Sequence, residues 1–468
     1  MARVKINLSL STEGAADEMT IYLGSIHMKR WKLSISTPYS IRLGTLEKEV
    51  RIAEIAKSSA FRMHPRLAEQ FGLHKGAVLC LQYQQSSRVL VLGPLLGVLL
   101  TRIGNDPQKP FGSISSFCRE LTTAGQRLGV LVYFFSAAQL PNEGNTIQGW
   151  TYDSGWKQEL FPLPDVVYNR LTSRVVENRV DVQKFMQQFK SRSSGGLFNE
   201  RYLNKAEVFE ALHKDEGIRN YLPESRAYKG KGMLKGMLER YSSVFLKPTL
   251  GSLGKGIIRV HKNGDGTYSC HAAGPTGAIR KIHYSSLIRM IEGVTLRTKG
   301  RAYLLQEGLD LISVGGCPLD FRALVQRDEF GLWRVTSIVA RIAARHTFVS
   351  NLARGGKLST VDDAITGSNL MNTMHSEIKS RLEKAALAIA TGLEIHISDA
   401  HFAEFGIDLA VDTRGRVMLL EVNSKPSKED NAPLGADSES STPSLEGTVR
   451  IRPSVRRAVQ YSRFLAKF

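Results

Sequence analysis

Cysteine is scarce in this 468-residue chain: Cys80, Cys118, Cys270 and Cys317 lie far apart and form no CxxC pair. That spacing points to neither a zinc site nor a disulfide framework, and it suits a reducing interior. Long apolar runs are missing too. The most apolar stretch, Val89 to Leu100, is interrupted by Gly93, Pro94 and Gly97 and is too short to span a bilayer. The opening MARVKINLSL has no apolar core followed by a small-residue cleavage site. The expectation is a soluble protein without a membrane span that does not use the usual secretion route. Basic blocks are also absent. The net charge of +19 would attract phosphates, nucleic acid or an anionic surface, but it is dispersed, with no Lys/Arg run of five or more. Lys29 to Lys32 and Arg452 to Arg457 are interrupted by apolar residues and read as solvated faces or as binding patches. A nucleic-acid-binding module is one reading of the charge, yet no helix-turn-helix, zinc-finger or RNP signature accompanies it.

What is present is an ordinary globular composition, 42% hydrophobic, long enough for two or three domains with real cores. Residues 1–92 carry short alternating apolar stretches, Thr20 to Leu23, Val78 to Tyr83 and Val89 to Leu92, which predict a β-rich domain. Leu95 to Leu100 reads as a buried strand, Ser113 to Gly129 as a helix and Val130 to Ser136 as a second strand. That order predicts a β-α-β unit. Pro141 to Pro164, with Asn142, Gly144, Asn145 and Gly149, reads as a linker, so 93–164 forms a small α/β domain plus linker. The main domain is expected over 165–468. It contains a polar, turn-rich stretch, Ser424 to Pro443, read as a mobile loop, and a terminal docking helix from Pro453 to Phe468. There is no internal repeat.

Three segments carry chemistry. GIDLAVDTRGRVMLLEVN predicts two strands, Gly406 to Val411 and Val417 to Val422, joined by the turn Asp412 to Gly415. Asp408 sits among apolar neighbours, and Glu421 and Asn423, two apart, share a face. Carboxylates among apolar residues are costly unless paired or bound to a cation, and this all-oxygen set suits Mg²⁺ or Mn²⁺ shared with phosphate; the alternative is a structural hydrogen-bond network. Val244 to Pro248 is an apolar strand ending in Lys247 and opening into TLGSLGKGI. Gly251, Gly254 and Gly256 can turn backbone N–H groups toward phosphates, with Ser252 and Lys255 as further donors. The spacing is not GxxxxGK[ST], and a flexible turn is the alternative. Between these lie Tyr303 to Leu309, able to meet a purine, Asp320-Phe-Arg322, Arg341 in an apolar strand, and the loop Asn351 to Gly356 with Arg354 and Gly355. Arginines suit carboxylate and phosphate, although each element alone also fits a surface salt bridge or turn.

The order of these segments, a strand lysine with a glycine-rich loop, QEGL, DFR, a strand arginine, NLARGG and D…ExN, resembles the ATP-grasp superfamily over about residues 165 to 425. With GPLLGVLL, PFGSISSFCREL, VVYNRLTSR and EVNSKPSKED, the chain resembles the YheC/YheD endospore coat-associated family. The resemblance implies an α+β ATP-grasp fold, two α+β subdomains around an ATP cleft, preceded by the β-rich and pre-ATP-grasp domains. It implies that Lys205, Lys247, Gly251, Ser252, Gly254 and Gly256 hold the phosphates. Gln306, Glu307 and the Leu309 backbone would grip adenine, and Asp310 would reach the ribose. Asp408, Glu421 and Asn423 would bind Mg²⁺ or Mn²⁺, while Arg322, Arg341, Asn351 and Arg354 would orient the γ-phosphate and the acceptor. Arg170 and Arg174 read as substrate contacts or as an interface, and His346 and His401 as structural. The implied activity is ATP-dependent joining of a small-molecule or peptide carboxylate to an amine, in the cytoplasm or at the spore coat with coat components as partners, in a monomer or homo-oligomer. The competing expectation is a coat-associated scaffold that binds nucleotide without turnover.

Overall fold

The computed structural model describes residues 3–12, 17–56, 58–141, 144–192, 195–250, 255–274, 279–344, 355–427 and 450–468. Residues 428–443 of the expected polar loop lie outside this set. Seven strands between Arg3 and Gly93 close into a barrel, sealed where Arg3–Leu10 pairs antiparallel with Val78–Gln84 and parallel with Phe61–Met63. Strand alternation turns Ile6, Leu8, Ile21, Leu23, Ile41, Leu43, Phe61 and Met63 into its interior, all buried.

The second sheet is built on three parallel strands, Leu131–Ser136, Leu95–Leu100 and Val166–Arg170. Every residue of these strands is buried, as both-face coverage of a parallel sheet requires. The helix Ser115–Leu128 links the first pair into the expected β-α-β unit, and the terminal helix Pro453–Leu465 packs beside it through Val455, Ala458 and Val459. Two expectations need correction here. The stretch from Pro141 to Pro164 is not a linker; it contains the hairpin Thr146–Asp153 and Gly155–Pro162, which extends this sheet. Gly149, read as a turn residue, is in mid-strand, where an added Cβ would come within 2.5 Å of the Tyr133 ring. The division at 164/165 also cuts through this sheet, since Val166–Arg170 and Gly196–Phe198 are two of its strands.

The remaining chain forms two more sheets. The third runs in the order Ser225–Ala227, Tyr303–Glu307, Ser243–Pro248, Ile258–Lys262, Tyr268–Ala273, Ile279–Tyr284. Val244, Leu246, Ile258, Val260 and Cys270 face a core shared with the helices Lys231–Arg240 and Leu287–Thr298, which leaves the opposite face open. The fourth has Lys357–Ser359, Trp333–Ile342, Cys317–Arg327, Glu404–Val411 and Val417–Asn423 side by side. The long helix His375–His396 and the helix Lys205–Leu212 bury its other face through Phe321, Ile407 and Leu419. Two α+β units thus meet where Lys247 of the third sheet bonds the Leu420 carbonyl of the fourth, the arrangement that positions the site.

Candidate nucleotide and metal site

The acidic hairpin forms the floor. Asp408 pairs directly with Glu421 across Glu404–Val411 and Val417–Asn423, and Gly406 pairs with Asn423, so all three oxygen-bearing side chains share one face. A register shift after Asp408 marks a bulge, a common way for a strand to re-aim side chains beside a functional site. On the adjoining strand Arg322 stands opposite Asp408, and Asp320 stands opposite Arg341. Arg322 Nη2 donates to Asp408 Oδ2 at 3.1 Å, and its Nε contacts Oδ1. Arg341 Nη2 lies 3.1 Å from Asp408 Oδ1, and its Nε donates to Asp320 Oδ1 at 2.6 Å. Burial opposes the charge on Arg341, but Asp408 and Asp320 outweigh it and raise its pKa above the ordinary value.

Two lysines approach from the other side. Asn204 caps the helix Lys205–Leu212 with a reciprocal Asn204–Glu207 capping box, which fixes Lys205 at its first turn. Lys205 Nζ lies 2.9 Å from Glu421 Oε1. Lys247 Nζ, on the third sheet, donates to Gln306 Oε1 at 2.5 Å and to the Leu420 carbonyl at 3.4 Å. Burial pulls the Lys247 pKa down to about 8; Lys205 adds to this, whereas Glu421, Asp408 and Asp320 oppose it. Positions 205, 247, 322, 341, 408 and 421 therefore converge, although they span more than 200 residues of sequence.

Gln306 is buried beside Lys247, and its Nε2 donates to Ser225 Oγ at 2.8 Å. Glu307 follows strand alternation to the opposite side, where its carboxylate accepts from Glu224 N at 3.1 Å. Leu309 follows the strand, and Asp310 is held at the hairpin turn by Thr413, whose Oγ1 donates to it at 3.2 Å. Gly256 has φ +73°, a left-handed value that glycine adopts without strain, and its carbonyl accepts from the Tyr303 hydroxyl at 3.3 Å. Gly251, Ser252, Gly254, His346, Asn351 and Arg354 lie outside the described residues.

Four cationic side chains thus face three carboxylates, a balance that favours an added anion. One oxygen of Glu421 and the amide of Asn423 have no hydrogen-bond partner among the described residues, so an oxygen-seeking divalent cation finds donors of the right kind beside Asp408. These residues fit a magnesium nucleotide.

Several contributors carry no sequence signal of their own. Gly406 is one: a Cβ there would lie 2.7 Å from Arg322 Nη1 and 2.8 Å from the Pro426 Cβ. Beyond Asn423, Ser424 Oγ donates to the Arg201 carbonyl at 3.0 Å, and Lys425 is buried against Glu177 with its ammonium 4.9 Å from the Tyr202 ring centre. Arg170 is an interface residue, bonding Glu404 at 3.3 Å and the Pro426 carbonyl at 3.1 Å. Arg174 donates to the Leu203 carbonyl at 2.8 Å and lies over Tyr202. His401 bonds the Tyr461 hydroxyl at 2.6 Å, and burial holds its pKa at about 4. A charged residue inside an apolar strand, such as Glu404 in HFAEFGI, was the available hint.

The chain is 28% identical over 338 residues to the endospore coat-associated protein YheD of Bacillus subtilis, covering 72% of this chain and 73% of that protein. To YheC of the same organism it is 20% identical over 323 residues, covering 67% and 86%. Among solved structures, the ATP-grasp ligase PsnB complexed with a minimal precursor aligns with a TM-score of 0.44 at 12% identity, over 79% of this chain and 99% of that one. D-alanyl-alanine synthetase A of Vibrio cholerae aligns with a TM-score of 0.41 at 12% identity, over 71% and 89%. The model of the family described as YheC/D like ATP-grasp matches residues 195–465, more than half of the sequence, and the chain belongs to that family.

Proposed function

We propose that the cleft binds Mg-ATP and that the protein is an ATP-dependent carboxylate–amine ligase. The observation that carries this reading is the meeting of Lys205, Lys247, Arg322 and Arg341 with Asp408 and Glu421 between two sheets. Asp408, Glu421 and Asn423 would hold Mg²⁺, which when bound supplies charge neutralisation to the phosphates. Lys205 and Lys247 bind phosphate oxygens, and Gln306 with the segment to Leu309 receives the adenine. A substrate carboxylate oxygen attacks the γ-phosphorus; that O–P bond forms as the bond to the β–γ bridging oxygen breaks, and ADP leaves. Arg322 and Arg341 stabilise the charge on the transferred group and orient the carboxylate. An amine nitrogen then attacks the acyl carbon, phosphate departs with the acyl C–O bond, and the amine proton passes to phosphate or solvent. No covalent bond to the protein is needed.

The two relatives are named for association with the endospore coat, which supports a role in the cytoplasm or at the coat, with peptide or small-molecule carboxylates and amines as the proposed substrates. ADP release from ATP is the test, with amino acids, peptides and cell-wall precursors offered in pools. The expected result is release that depends on one carboxylate and one amine together. Tight Mg-dependent ATP binding without release from any pool would favour a nucleotide-binding scaffold, and no ATP binding would overturn both.

A further inference from the structure

The open face of the third sheet continues past the nucleotide cleft. Cross-strand pairing sets Gln306, Phe245, Arg259, His271 and Lys281 in one row. Ser243, His261, Ser269 and His283 form the next. At about 4.8 Å between strands, the first row runs roughly 14 Å from Phe245 to Lys281. Neither row contains a carboxylate. Arg259, only partly exposed, donates Nε to Ser243 Oγ at 3.2 Å and lies 5.8 Å from the Phe245 ring centre, and it has no ion-pair partner among the described residues. His261 Nδ1 is buried without a hydrogen-bond partner. Burial lowers the pKa of His271, and Arg259, Lys281, His283 and His261 lower it further. The carboxylate of Asp265, which acts on His283, is itself held by Thr267 N at 2.9 Å and Thr267 Oγ1 at 2.6 Å. Arg259 and Lys281 thus bring positive charge to one face beside imidazoles that burial keeps uncharged but able to donate, a set that suits an anion.

The geometry also specifies the anion. Among the described residues Ile279–Tyr284 ends the sheet, so one of its edges offers backbone groups that no described strand pairs with. Lys281 and His283, both exposed and two residues apart, point to the same face along that edge. A strand added there would set its own alternate side chains directly beside them. Charge at an edge alone would only discourage pairing; Arg259 extends the same charge two strands inward, where it has no such role. A strand edge sets backbone donors and acceptors at the spacing of a peptide backbone, which a sugar-phosphate chain does not match. We propose that this edge and face bind an acidic peptide segment as an added strand, with carboxylates at alternate positions pairing with Lys281 and His283 and a neighbouring one reaching Arg259 and His271.

The test uses the full chain and fluorescence anisotropy of a labelled Gly-Glu-Val-Glu-Val-Glu-Gly peptide, its Lys-for-Glu counterpart and a ten-residue oligothymidylate. The Glu peptide is expected to bind and the Lys peptide not to. Lys281→Glu, at an exposed position, and Arg259→Gln should each weaken the Glu peptide at least tenfold. The barrel reversal Lys29→Glu/Arg30→Glu should leave it unchanged, and ATP affinity should be the same in all. Undiminished binding in Lys281→Glu, or an equal loss in the barrel variant, would overturn the proposal. So would oligothymidylate that binds tighter than the peptide and loses affinity in the same variants. ATP affinity is read separately, so failure of the peptide site is distinguishable from failure of the nucleotide site.

Discussion

Replacing Glu421 by glutamine should change ATP binding in opposite directions with and without metal. In the free protein Lys205 Nζ lies 2.9 Å from Glu421 Oε1, so its charge is largely committed before any phosphate arrives. The lysine side chain is 12% exposed and the glutamate 28%, which places the pair between surface and interior. Unit charges 4 Å apart interact by about 4 kcal/mol at an effective dielectric near 20, and exposure of the glutamate cuts this considerably. A net release of about 1.4 kcal/mol toward phosphate, or about tenfold, is a reasonable share. Metal-free ATP, measured by calorimetry with a chelator present, should therefore bind Glu421→Gln about tenfold tighter than the natural protein. With excess magnesium the lost carboxylate ligand should weaken binding by about tenfold or more. The coupling between metal and nucleotide, the ratio of the two affinities, then falls roughly a hundredfold. Equal weakening under both conditions would refute the reasoning, because it would mean that Glu421 supports the fold and not a charge exchange.

Three further outcomes follow from other positions. Burial depresses the Lys247 pKa to about 8, so the free protein loses this ammonium above that pH; ATP affinity should fall by up to about tenfold per unit between pH 8 and 9, with proton uptake on binding detectable in buffers of different ionisation enthalpy. Asp165 is buried at the junction of barrel and second sheet, and burial raises its pKa from 3.8 to about 6. A raised folded-state pKa contributes stability that is full below the unfolded value and lost as pH rises through the folded one. Between pH 4 and 6.5 the natural protein should therefore lose about 2 kcal/mol relative to Asp165→Asn, seen as a change in the gap between their thermal midpoints. Gly406→Ala would put a methyl 2.7 Å from Arg322 Nη1 and 2.8 Å from the Pro426 Cβ; ATP turnover should fall at least tenfold while far-ultraviolet circular dichroism stays unchanged.

How much of this was readable beforehand depends on whether the signal is local. The barrel strands alternate, and the β-α-β unit has continuous apolar strands around one amphipathic helix, so both stand out in short windows. The acidic hairpin is equally local, since Asp408 and Glu421 are joined by one tight turn. The hairpin at Thr146–Pro162 was obscured because Gly149 reads as punctuation, whereas its missing side chain makes room for Tyr133, which stacks on Phe161 at 4.6 Å. Glu404 could not be assigned from sequence for a different reason. Its partners Tyr168, Arg170 and Asn199 are brought to it only by the packing of the second sheet against the fourth, and Gln326 by strand pairing across more than 70 residues.

Those distant partners bear on how the cleft can open. The chain leaving Asn423 is tied to the second sheet and its following loop: Arg170 bonds the Pro426 carbonyl, Lys425 is buried against Glu177, and Glu404 joins Tyr168 and Asn199. Breaking a buried pair of this kind costs about 3–5 kcal/mol, because it strands a charge away from water. Across the nucleotide cleft, among the described residues, the third and fourth sheets are joined by the long bond from Lys247 to the Leu420 carbonyl, while the Lys205–Glu421 pair stays with the fourth sheet and its helix. Displacing the third sheet from the fourth is therefore cheaper than displacing the fourth from the second. Phosphate oxygens would replace, on Lys247, the partner that such a displacement removes.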